Sequence, residues 1–342
     1  MRTTRTLTLI VFSVVLISLK GCEDSTDTFT LSIDVYPPGA GQVEGAGLYE
    51  PGETVDLRAI AENDHHFFRW MQEEEVVGDK DNLLFTMPFE DVVLKAWFGL
   101  ADGTPGDGVA DIDGNPYQTV HLGGLEFMAE NLRTTRYRDG EEIPAGLSNQ
   151  EWSTTSTGAR DIYDHELIDG IDSPGEMVDA YGKLYNWFAV DNPAGLCPEG
   201  WEVPSHKQWT IVIDYLEAAY GLHNDEYSDE PETLTGNVLK SCRQVGSPLG
   251  GDCDTEEHPR FDEDPAGMNH GVDQFGFGGL PAGWRNYEGN YQALGHMTGW
   301  WASADYDDAS AWYRLVYHNM GRLFNQYFRK EQGYSVRCVR IE

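Results

Sequence analysis

Three sets of side chains in this chain of 342 residues carry chemistry beyond filling a core. The first is the cysteines. Cys22 stands alone near the start, while Cys197, Cys242, Cys253 and Cys338 all fall in the C-terminal part. Four thiols in an oxidising compartment predict two disulfides, with every pairing open at this level. A zinc site is the rival, but no C-x-x-C spacing supports it. The second set is acidic. Asp252, Asp254, Asp262 and Asp264 lie in a carboxylate-dense stretch over 225–264 and could offer oxygen ligands to calcium, or form a solvated acidic surface. The third is aromatic: Trp284-Arg285-Asn286-Tyr287 and Trp300-Trp301. Rings beside such donors and acceptors suit a sugar or a peptide, and the competing role is core packing. Asp111-Ile112-Asp113-Gly114-Asn115 fails the EF-hand spacing, with Pro116 where glycine and Leu122 where glutamate should stand, and reads as a β-turn. Neither Gly-x-Ser-x-Gly nor His-Glu-x-x-His occurs, and His65-His66 is the one adjacent pair among scattered histidines.

The elements that must position these groups begin with an address. Met1-Arg2-Thr3-Thr4-Arg5 is basic, Leu7–Leu19 is apolar, and Lys20-Gly21-Cys22 leads into Glu23-Asp24. That order is secretory, and it resembles a bacterial lipoprotein signal, cleaved before Cys22 with lipid on its sulfur. Lys20 departs from that pattern, which prefers a small residue there. The apolar run is shorter than the ~20 residues of a spanning helix. The net charge of −35 becomes more negative once Arg2, Arg5 and Lys20 leave with the signal. Such a chain repels phosphate backbones, so nucleic acid is excluded as a partner. With 40% hydrophobic and 12% aromatic residues, the chain can still build cores.

Residues 30–36 and 54–61 alternate apolar and polar as half-buried strands do, and Phe67–Trp70, Asn82–Thr86 and Val92–Phe98 read as further strands. Pro38-Gly39-Ala40-Gly41, Tyr49-Glu50-Pro51-Gly52-Glu53-Thr54-Val55, Phe68-Arg69-Trp70 and Phe85-Thr86-Met87-Pro88 with Ala96-Trp97-Phe98 resemble the divergent internalin B-repeat family of bacterial surface proteins. Arg69 stands where that pattern often has glycine. The resemblance implies a spacer or adhesive repeat, with Phe68, Trp70 and Trp97 as core rather than a sugar platform. Gly99–Ala110 is a linker by composition.

From Asp111 onward, Phe127–Thr135, Tyr181-Gly182-Lys183-Leu184-Tyr185-Asn186-Trp187, Leu196-Cys197-Pro198-Glu199-Gly200-Trp201, Leu280-Pro281-Ala282-Gly283-Trp284-Arg285 and Ser335-Val336-Arg337-Cys338-Val339-Arg340 resemble the Fibrobacter succinogenes major paralogous domain. That family is similar in turn to C-type-lectin-like and formylglycine-generating-enzyme folds. The resemblance implies that Cys338 on a last core strand clasps back to Cys197, leaving Cys242 to pair with Cys253. It also implies a ligand surface on late loops, at Trp284, Arg285, Asn286, Tyr287, Trp300 and Trp301. Ser205 with Gln208 forms a capping box for a helix reaching Tyr220, with Ile211, Val212, Tyr215, Leu216 and Ala219 on its buried face. The late cysteine pair of the formylglycine-generating enzyme and the His-x3-His-x-Glu set of related iron enzymes are both missing, so the expectation is a non-enzyme.

The expected class is α+β: a small β-rich repeat module, then a C-type-lectin-like α+β domain with irregular loops. The expected parts are a signal (1–22), a tether (23–28), the module (29–98), a linker (99–110) and the second domain (111–342). The expected role is non-catalytic binding of a glycan or envelope protein by an outer-membrane lipoprotein, surface-exposed as Glu23-Asp24 resembles some acidic tether signals. No cofactor is expected beyond calcium at the acidic stretch. A structural component of an envelope assembly and an extracellular enzyme are the alternatives.

Overall fold

The computed structural model describes residues 27–225, 230–241, 258–262 and 271–341. Cys22, Cys242, Cys253, Asp252, Asp254 and Asp264 lie outside the described residues. Among those described, no helix is long and apolar enough to cross a membrane.

The first module comprises β1 (Phe29–Tyr36), β2 (Gly41–Glu44), β3 (Gly47–Tyr49), β4 (Thr54–Ala61), β5 (His65–Gln72), β6 (Glu75–Gly78), β7 (Asn82–Thr86) and β8 (Val92–Leu100). Two sheets, ordered β3-β1-β8-β5-β6 and β2-β4-β7, close on one another. Alternation along β4 sends Val55, Leu57 and Ala59 inward to meet Leu31, Trp70, Leu94 and Phe98.

The second domain carries β9 (Val109–Ala110), β10 (Pro116–Tyr117), β11 (Thr119–Leu122), β12 (Leu125–Met128), α1 (Asn149–Thr154), β13 (Arg160–Asp161), α2 (Pro174–Tyr181), β14 (Leu184–Asn186) and α3 (Trp187–Val190). There follow β15 (Trp201–Glu202), α4 (His206–Tyr220), α5 (Thr235–Leu239), β16 (Trp284–Arg285), β17 (Tyr291–Gln292), β18 (Met297–Asp305), β19 (Ser310–Tyr317), β20 (Phe324–Arg329), β21 (Gly333–Tyr334) and β22 (Val339–Arg340). Its sheets run β11-β12-β22-β15, β13-β14-β21-β16-β17 and β18-β19-β20. The architecture is therefore mixed and β-rich, with few helices. Cys197 and Cys338 form a disulfide across 141 positions, joining the approach to β15 to the approach to β22.

Helix α4 starts as expected: Ser205 Oγ accepts from Gln208 N at 3.1 Å, and Gln208 Oε1 accepts from Ser205 N at 2.7 Å. Its burial is wider than one stripe. Trp209, Val212, Ile213 and Leu216 enter the domain core, while Ile211 and Tyr215 pack from a second side. That second side meets the first module. Phe68, Met71 and Trp97 leave the module's own core and join the cluster around α4.

Residues 99–110 are not a free linker. Gly103 N donates to His121 O and His121 N to Thr104 O, both at 2.9 Å, laying the segment along β11. Asp102 accepts from Gly123 N and from the Tyr220 hydroxyl. Trp97 Nε1 donates to Gly124 O at 2.9 Å, and a Cβ on Gly124 would lie 2.9 Å from that same nitrogen. Only glycine, here at φ +78°, lets the two modules approach this closely.

Candidate functional site

The residues of the recurring motifs are absorbed by the scaffold. Arg337 is fully buried over the Phe277 ring at 4.4 Å, and donates to Met128 O, Gly278 O, Phe277 O and Asn131 Oδ1. Burial pulls its pKa down to about 9. Asp111 Oδ1 accepts from the backbone N–H groups of Asp113 and Asn115, and Oδ2 from the Asn115 side-chain amide and the Tyr117 hydroxyl. Its carboxylate closes a turn.

Arg285, expected at a ligand surface, is buried. It forms an ion pair with Asp161 at 2.6 Å, donates to Leu147 O and Gly289 O, and stacks 4.3 Å from Trp152. Asn286 is also buried, and its Oδ1 accepts from Glu288 N and Asn290 N to hold a tight turn. Trp284 is half-buried against the second-domain core. Tyr287 alone of this group offers a ring outward, with Phe328 at 6.3 Å and Arg329 at 4.7 Å.

Trp300 and Trp301 overturn the expectation of a paired ring surface. Both are 0% exposed. Adjacent strand residues point to opposite faces, so a Trp-Trp pair cannot face one ligand. Trp300 turns toward α4, with Phe277 at 5.4 Å, and Trp300 Nε1 donates to Asn131 Oδ1 at 2.9 Å. Trp301 turns toward Tyr334 at 4.9 Å, and its Nε1 donates to Tyr185 O.

Asp262 is the one described member of the acidic quartet. It lies 3.3 Å from His296 Nε2. Among the described residues there is no group of three or more His, Cys, Asp or Glu placed to hold a metal.

An aromatic cluster that sequence reasoning did not single out sits on the outer part of the β18-β19-β20 sheet. Trp312 and Tyr327 are register partners on β19 and β20, with ring centroids 5.4 Å apart and planes at 77°. Tyr306, in the turn after β18, stacks on Tyr327 at 3.5 Å and meets Trp312 edge-on at 5.2 Å. His206, the first residue of α4, lies 4.3 Å from Trp312. Tyr306 and Tyr327 are 46% and 44% exposed. Isolated exposed rings are ordinary; three in mutual contact make a candidate surface for a ligand.

Arg314 fixes this cluster from below. It donates to His206 O at 3.2 Å, to Thr210 Oγ1 at 2.7 Å and to Asn325 Oδ1, tying the start of α4 to the sheet. Burial lowers its pKa to about 10, so it stays charged at neutral pH. Burial first, and the Arg314 charge second, lower the His206 pKa, which keeps its imidazole neutral. His206 Nδ1 is buried and has no hydrogen-bond partner. The cluster thus combines apolar ring faces with one neutral polar nitrogen. A legible signal existed: the turn over His318–Gly321 folds β20 onto β19, which brings position 327 beside position 312.

A β-rich, two-module protein with a disulfide clasp and an exposed aromatic face is the class these features define. The chain belongs to the Fibrobacter succinogenes major domain family, which it matches over residues 120–340. Residues 31–102 match the divergent InlB B-repeat domain. Together the two families suggest a protein of surface or adhesion type. No curated protein and no solved structure matches the chain.

Proposed function

We propose that this protein is a surface-exposed, lipid-anchored outer-membrane lipoprotein that binds saccharide without catalysis, through Tyr306, Trp312, Tyr327 and His206. The aromatic cluster carries the reading: clustered rings take the apolar face of a pyranose, with a neutral imidazole rather than a charge at their edge. The basic and apolar start ending at Cys22 supports the anchor. A lectin-like second domain is part of the same reading, supported by β22 lying between β12 and β15 with the Cys197–Cys338 clasp beside it. The non-catalytic role is supported by Asp111, Arg285 and Arg337, whose charged groups are engaged within the scaffold.

The test is a glycan array probed with the full chain, with and without calcium, repeated on Trp312→Ala and Tyr306→Ala proteins whose melting is unchanged. Losing one stacked ring is worth ~1.5 kcal/mol, about tenfold in affinity. Binding that survives both substitutions, or no binding to any glycan, rejects the saccharide reading. Calcium dependence would implicate the acidic stretch around Asp262.

A further inference from the structure

Strand β20 is the outer strand of the β18-β19-β20 sheet, and its six residues pair with β19 without a register shift. Among the described residues it is the longest edge strand without such a shift. Most other edges are shorter, and β18, at nine residues, is broken by a shift between Trp301 and Asp305. Natural sheets guard edges with proline, lysine, inward charge or a bulge. The strand Phe-Asn-Gln-Tyr-Phe-Arg carries no proline, lysine or bulge, and its one charge, Arg329, stands at its end. Asn325 to Arg329 are all exposed. The strand also lacks any acid, in a chain with 58 Asp and Glu.

We propose that β20 pairs with β20 of a second copy of this chain, antiparallel about a two-fold axis. Charge restricts where on its surface a second copy can approach. Two chains of net charge −35 repel one another over most of their surfaces, and β20 is an acid-free strip where they can meet. Symmetry then restricts the register. An axis that joins two edges into one antiparallel sheet stands normal to that sheet and keeps each residue on its own face, so facing residues share parity. Of the two registers that pair most of the strand, one sets Arg322 opposite Lys330. The other sets Tyr327 opposite its own copy and Arg329 opposite Asn325, with no facing cations. The second register is the one proposed. It places two Tyr306–Trp312–Tyr327 clusters side by side on one face of a six-stranded sheet. The pairing stands on the strand edge and is independent of the saccharide reading.

Disulfide trapping in the full chain, displayed in its membrane and run on non-reducing gels, tests the register. The unsubstituted chain supplies the baseline. Tyr327→Cys should raise the species of twice the chain mass at least tenfold over that baseline. Gln326→Cys, whose copies share a face but each stand opposite Phe328 rather than each other, should not. The Asn325→Cys and Arg329→Cys double variant should trap the same species, and it covers the case in which Tyr327→Cys disturbs the strand. Equal trapping at 326 and 327, no trapping in either the 327 or the double variant, or an adduct of another mass would each overturn the pairing.

Discussion

Replacing Phe68 by alanine tests whether the two modules form one cooperative body. Phe68 is 2% exposed, yet its ring leaves the first module's core and packs on Tyr215 of α4 at 4.8 Å. In a free-standing module that ring and Trp97 would face water. Removing a buried phenylalanine side chain costs about 3–5 kcal/mol. Against a total stability of order 5–15 kcal/mol, that is roughly a fifth or more of the margin. Each 1 kcal/mol lowers the melting temperature by roughly 2–4 °C in large domains, so the expected fall is roughly 6–20 °C. Differential scanning calorimetry of the unsubstituted chain should give one transition, and Phe68→Ala should move all of it. Leu57→Ala, within the module's own core, should move the same single transition. Two separate transitions, only one of them sensitive to Phe68, would refute the shared core and restore the spacer description.

Cys338→Ser opens a clasp across 141 positions and should lower stability by about 5 kcal/mol on the loop-entropy scale, read from urea midpoints. Arg337→Met orphans buried carbonyls and should lose ~3 kcal/mol or more, and Arg337→Lys should not rescue it, because one ammonium cannot reach the same spread of acceptors. Burial pulls the Lys183 pKa down to about 8. The unfolded state therefore binds more protons between about pH 8 and 10, so stability should rise with pH across that window. Burial also raises Tyr185 and Tyr334 well above 10, so above about pH 10 the unfolded state loses protons first and stability should fall. Denaturation curves measured across this range on Lys183→Met should lose the rise that begins near pH 8, leaving only what Arg337 contributes from about pH 9.

Local order was legible in the sequence. Alternation located the strands around 30–36 and 54–61, the run at 92–98 read as a further strand, and the Ser205–Gln208 box located the start of α4. The direction in which side chains point was less so. Ile211 and Tyr215 read as part of a single buried stripe, but α4 lies between two bodies and has two buried sides. The Gly99–Ala110 composition reads as a linker because glycine suits both loose chain and tight backbone approach. Only the partner decides which: a Cβ on Gly99 would stand 2.9 Å from Gly124 Cα. Trp300-Trp301 looked like a surface because tryptophans beside a glycine suggest a loop; within β18 each ring is assigned to a different core.

The same argument explains why the conspicuous motifs were poor guides to the site. A residue held by an obligatory packing role, such as Arg285 between Trp152 and Tyr291 or Arg337 against Phe277, makes its segment recognisable. Because it is buried, it cannot also meet a ligand. Tyr306, Trp312 and Tyr327 belong to none of those segments, and each becomes interesting only through the other two. Their positions follow from two successive turns, one at 306–310 and one at 318–321, that stack β18, β19 and β20 in order. Turn length therefore controls the site. An insertion in either turn leaves the Arg337 and Arg285 networks intact while separating Tyr306 or Tyr327 from Trp312. On the proposed saccharide reading, ligand preference can thus vary along these turns without any change to the buried networks of Arg285 and Arg337.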